Sequence, residues 1–109
     1  MNQAEIIKFI HSLGEVTEDR DTRTGLILFK VSSNSLICAI IHDGSSPLRM
    51  EAKCDPRLAK VLRDNYETVL PSKNMDGQTW NEIIISGQLD DQQIKDLLKL
   101  SYDLVSAAS

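Results

Sequence analysis

The side chains in this 109-residue chain that could bind a metal or attack a substrate are two histidines, two cysteines and scattered carboxylates. His11 falls on a helical stretch and His42 at the end of an apolar run. Neither has a second histidine or a cysteine at the spacing that a metal site requires, so both read as surface or structural groups. Cys38 and Cys54 lack the Cys-x-x-Cys spacing of redox and zinc motifs and lie in apolar or strand-like stretches, which fits reduced, buried thiols of a cytosolic protein. No nucleophile elbow and no phosphate-cradling glycine loop is present. Glu15, Glu18, Asp19 and Asp21 could attract a hard cation, but Arg20 and Arg23 interrupt them, and a charged edge strand is the simpler reading. These residues predict no enzyme, no metal and no cofactor.

Charge distribution points to a surface instead. The net charge is −4, yet residues 47–73 hold six basic and four acidic groups, against four and six in residues 1–46 and two and six in residues 74–109. A globally acidic chain is poorly suited to coating nucleic acid nonspecifically, because phosphate neutralisation supplies most of that affinity. A local basic face is still compatible with contact. Arg57 and Lys60 share the outer face of a helix at three-residue spacing, and Arg49 and Lys53 point to one side of a strand. The same residues also fit an ordinary solvated face, paired with Glu51, Asp64 and Glu67. Trp80 reads either as core or as a ring with an exposed tip beside Lys73 and Asn74, where it could meet a base or a peptide.

The elements that position these residues are legible in order. Asn2 and Glu5 form a capping box ahead of Ile6, Phe9, Ile10 and Leu13, a helical stripe that Gly14 stops. Residues 25–31 and 35–41 are short β-branched runs, with Ser32-Ser33-Asn34 as the turn between them. Leu48 to Cys54 alternates apolar with charged residues and extends an antiparallel meander, which a weaker edge strand at Val16–Asp21 precedes. Asp55-Pro56 opens a second helix, with Leu58, Val61 and Leu62 expected to face inward. A polar loop over Ser72–Thr79 leads to a strand from Trp80 to Ser86. Asp90 and Gln93 form a second capping box, with Leu89 and Ile94 as a hydrophobic staple. That box starts a helix whose inner face carries Ile94, Leu97, Leu98, Ser101, Leu104 and Val105. The expected architecture is therefore α+β, an antiparallel sheet with N-terminal, central and C-terminal helices packed on it, in one domain over residues 1–109. The longest apolar run, Leu36–Ile41, is far shorter than the roughly 20 residues of a membrane-spanning helix. The N-terminus lacks the pattern of a signal peptide, so a cytoplasmic location is expected, with a monomer as the default.

Several segments carry a resemblance to a known family. Glu51-Ala52-Lys53-Cys54-Asp55-Pro56, the Trp80 segment, Gly87-Gln88-Leu89-Asp90-Asp91 and Ser101-Tyr102-Asp103-Leu104-Val105 resemble the MmcQ/YjbR family in order and spacing. The resemblance implies a CyaY-like fold, also described as a double-wing domain, for which DNA binding is the proposed activity. The family's segment before the tryptophan is basic, in a pattern like Met-Asn-Lys-Lys-His-Trp-Asn. Here Met75, Trp80 and Asn81 match it, but Asp76, Gly77, Gln78 and Thr79 stand where its asparagine, two basic residues and histidine would be, while Lys73 keeps a basic place earlier in the loop. The expected function is a non-enzymatic binding domain whose site is formed by Lys53, Arg57, Lys60, Lys73, Asn74, Trp80 and Asn81. Its partner is nucleic acid on the central basic face, or alternatively a protein or small ligand in a groove beside Trp80.

Overall fold

The computed structural model describes residues 1–108. Asn2 caps α1 (Gln3–Ser12), and both arms of its capping box form, with the Glu5 N–H on Asn2 Oδ1 at 2.8 Å and the Asn2 N–H on Glu5 Oε1 at 3.0 Å. The helix is closed by Leu13, one residue before the glycine. Four strands then run as the expected meander: β1 (Val16–Asp21), β2 (Leu26–Val31), β3 (Ile37–His42) and β4 (Leu48–Lys53). Asp55 caps α2 (Pro56–Asn65), two strands β5 (Val69–Pro71) and β6 (Trp80–Ile85) follow, and Asp90 caps α3 (Asp91–Ser106) with a second capping box. The strands form one antiparallel sheet in the order β1-β2-β3-β4-β6-β5, so β1 and β5 are its edges. β5, with a proline inside three residues, is an element that the periodicity did not reveal.

Register decides which side chains share a face, because partners opposite one another point the same way. Ile27, Ile41, Met50 and Ile83 form one row across four strands, with Phe29 and Ala39 beside them. All three helices stand on this side. Ile6 and Ile10 of α1 and Ile94, Leu98 and Val105 of α3 join the same buried cluster, and Asn81, on the same face, donates to the Ala59 carbonyl of α2 at 3.2 Å. The reverse side carries the row Leu28, Ile40, Glu51 and Glu82, and residues of the 72–79 loop reach over it.

Two helix faces differ from expectation. In α2 the fully buried residue is Ala59, whereas Leu58 and Val61 are 36% and 52% exposed and only Leu62 packs partly against the core. The reason is a polar dock. Arg63, one turn after Ala59, donates to Asn81 Oδ1 at 2.7 Å and to the Gly77 carbonyl at 3.2 Å, so the helix approaches the sheet through a small residue and a guanidinium. In α3, Leu104 lies outside the buried stripe of Ile94, Leu98, Ser101 and Val105. Both cysteines are free and buried, as expected.

Candidate functional site

The structure disperses the residues assigned to binding from the sequence. Trp80 and Asn81 are adjacent on β6 and so point to opposite faces, and both are buried, at 4% and 1% exposure. Asn81 is occupied by Arg63 and Ala59 beneath α2 and is not available to a ligand. The Asn74 amide is spent on Glu51 Oε2 at 2.7 Å, and Lys60 is held by Asp64 at 2.7 Å, one helical turn away. Among the described residues, Lys53, Arg57 and Lys73 have no ion-pair partner. Arg49 is also committed, to Glu82 at 3.4 Å. Of the acidic partners expected on a solvated face, Asp64 pairs with Lys60, whereas Glu51 is fully buried and, among the described residues, neither it nor Glu67 pairs with a lysine or arginine.

A groove does open beside Trp80. It encloses about 140 Å³ between Leu36, Ile37, Met75, Trp80 and Val105, with Lys53 on its wall. Its position follows from how β3 and β4 part. Their ladder ends at Ala39 opposite Ala52, and at the next pair the Ser101 hydroxyl of α3 stands between the strands, accepting the Lys53 N–H at 2.7 Å and donating to the Cys38 carbonyl at 2.6 Å. At the same end, Asn34 donates to the carbonyls of Val105 and Ala108 at 2.9 and 3.0 Å, fixing the β2–β3 turn to the end of α3. A larger depression of about 330 Å³ lies between α1 and α3 near Glu5, Lys8, Phe9 and Lys95. There Glu5 is spent in the capping box and Lys95 stands over the Phe9 ring at 5.7 Å, which leaves Lys8 as its other charged group.

On the helix-free face, long-range pairing builds a polar network that sequence spacing concealed. Glu51 accepts from Ser72 Oγ and Asn74 Nδ2, and its Oε2 lies 2.8 Å from His42 Nε2. The same nitrogen is 3.4 Å from Glu82 Oε1, whose other oxygen meets Arg49. His42, expected to stand alone, thus lies between two carboxylates from neighbouring strands. The one sequence signal was that Arg49, Glu51 and Lys53 share a face of β4. Alternation alone read that face as wet, and only the return of the 72–79 loop covers it.

Neither buried thiol is activated by its surroundings. Burial pushes the Cys38 thiol up to about 11 and raises that of Cys54, the reverse of what a reactive thiolate needs. The Ser72 hydroxyl is engaged by Glu51 and also accepts the N–H groups of Asn74 and Met75 at 3.2 and 3.0 Å, which shapes its own loop.

Comparison with known proteins gives a consistent result. The YjbR family model matches residues 11–104. Two curated relatives, both uncharacterised YjbR proteins of Escherichia coli strains K12 and O157:H7, are each 26% identical over 73 residues. That stretch is 67% of this chain and spans only 62% of the relatives' length. Among solved structures, a Deinococcus radiodurans protein with a DUF419 domain superposes with a TM-score of 0.87 at 21% identity, covering 95% of this chain and 78% of that one. A Pseudomonas syringae protein superposes at 0.82 with 20% identity, covering 96% and 99%. At these identities the structural likeness establishes the fold.

Proposed function

The chain belongs to the YjbR family, and from that premise we propose that it is a non-enzymatic, monomeric, cytoplasmic binding domain that seats an apolar anchor of a protein partner in the groove beside Trp80. The observation that carries this reading is the composition of the groove: an apolar wall of Leu36, Met75 and Trp80 beside Lys53, a cation with no ion-pair partner among the described residues. A volume of about 140 Å³ is below the roughly 300 Å³ at which small-molecule pockets begin, but it suits one inserted side chain. Lys53 then selects for an acidic residue next to that anchor. The raised thiols and the engaged Ser72 support the non-enzymatic part. Buried free thiols suit a reducing compartment, and among the described residues no helix is long and apolar enough to cross a membrane.

Nucleic acid is the second reading, favoured by Arg57, Lys73 and Lys53, which have no ion-pair partner among the described residues. It is the weaker one, since Trp80 cannot offer its ring for stacking while buried, and Asn74, Asn81 and Lys60 are engaged within the chain. The two readings are separated by screening short peptides that pair an aromatic or leucine anchor with Asp or Glu, alongside fluorescence anisotropy of labelled duplex and single-stranded DNA at low and physiological salt. The groove reading expects a peptide that binds the native chain, loses affinity in Lys53→Glu and Met75→Arg, and is indifferent to Arg57→Glu. Salt-sensitive DNA binding abolished by Arg57→Glu with Lys60→Glu, and no peptide that responds to the groove variants, would overturn it in favour of the basic face.

A further inference from the structure

The carboxyl group of Glu51 has no exposure at all, and a carboxylate so placed is costly unless it is paired with, or coordinates, a cation. Its donors Ser72 and Asn74 are neutral. Among the described residues the one ionisable group in contact with it is His42, which also faces Glu82, while Arg49 serves the far oxygen of Glu82. With a neutral imidazole the group holds two carboxylates against one guanidinium, which leaves one negative charge beneath the loop. A cation held between the imidazole and the two carboxylates offsets it.

We propose that a divalent transition-metal ion of the zinc class binds here, with His42 Nε2 and one oxygen each of Glu51 and Glu82 as its protein ligands. The three donor atoms already lie within 4.8 Å of one another, and the His42 nitrogen is 2.8 and 3.4 Å from the two carboxylates. Zinc bonds of about 2.1 Å place tetrahedral ligand atoms about 3.4 Å apart, so the ion enters with small side-chain shifts. An imidazole with two carboxylates favours such a metal over magnesium or calcium, which prefer all-oxygen sites. The ligands come from three adjacent strands, β3, β4 and β6, a rigid platform. Ser72 and Asn74 orient the buried carboxylate as outer partners do in metal sites. His42 and Glu82 keep side-chain exposures of 24% and 13%, so the ion can arrive from solvent and water can complete its shell.

The test is titration of Zn²⁺ into the chelator-treated, untagged chain, followed by competition with a chromophoric chelator and by the NMR shift of the His42 ring nitrogens. One equivalent is expected to bind and to move the His42 signals. His42→Ala and Glu82→Gln should each weaken binding at least tenfold, roughly the range seen even for lost outer partners. Arg49→Gln removes the cation that competes for Glu82 and should tighten binding. His11→Ala should leave it unchanged, although the exposed pair of His11 and Glu18 at 2.6 Å is the nearest surface imitation of the site. Because Glu51→Gln threatens the fold, the His42 and Glu82 variants, checked for native circular dichroism, carry the test. Absence of zinc binding, binding indifferent to both of those variants, or binding lost in His11→Ala would overturn the proposal.

Discussion

Ser101 of α3 donates its hydroxyl to the Cys38 carbonyl at 2.6 Å and so occupies a place where one strand would otherwise bond its neighbour. The Lys53 N–H completes the bridge from the other side. Ser101→Ala leaves a buried donor and acceptor facing a methyl group and should cost about 1–3 kcal/mol. The expected readout is a lower urea midpoint at unchanged slope. Unchanged stability would mean that the strands re-pair directly once the hydroxyl is gone.

Gly14 depends on Tyr102 for a different reason. A Cβ at this glycine would lie 2.0 Å from the Tyr102 hydroxyl oxygen and 2.6 Å from the ring carbon that bears it, so the ring must leave its place. Gly14→Ala should destabilise the fold by about 1–3 kcal/mol. Combined with Tyr102→Ala, which removes the obstacle, it should cost less than the sum of the two single changes, a coupling that a double-mutant cycle measures.

Glu51 pins the 72–79 loop to the sheet. Glu51→Ala strands Ser72, Asn74 and His42 without their acceptor and should cost about 3 kcal/mol or more, as loss of one partner in a buried polar network does. Faster amide exchange at Asn74 and Met75, whose N–H groups rest on Ser72, should accompany it. If exchange there is unaltered, the loop is held by something other than this carboxylate.

Alkaline pH should weaken the protein through Cys38. Its thiol, buried and pushed from 9.0 up to about 11, holds its proton in the fold after the unfolded chain has begun to release it. The folded state therefore binds more protons between those values. The thiol's contribution is complete below pH 9.0 and is lost as pH rises towards about 11. Urea unfolding across that range should show the decline in the native chain and a shallower one in Cys38→Ala.

What the sequence disclosed was mostly local. The caps at Asn2, Asp55 and Asp90 use partners within three residues, and the meander rests on short β-branched runs with turn residues between them, so both could be read directly. The apolar stripe of α2 does not face the core because the helix docks through Arg63 on Asn81, a polar contact spanning 18 positions. The same limit hid Glu51, whose partners His42, Ser72 and Asn74 stand 9, 21 and 23 positions away. A strand pattern states only that Arg49, Glu51 and Lys53 share a face of their strand. It does not state that a later loop will close over that face and turn a wet position into a dry one.

The two ends of the strand order also limit how this sheet can meet other molecules. One rim is β1, with Glu18, Asp19, Arg20 and Asp21 in succession; the other is β5, three residues that end in a proline lacking an N–H. A seventh strand would meet charge on one side and a missing donor on the other, the devices by which natural sheets resist stacking into fibrils. Both rims are thereby poor templates for backbone-to-backbone recruitment.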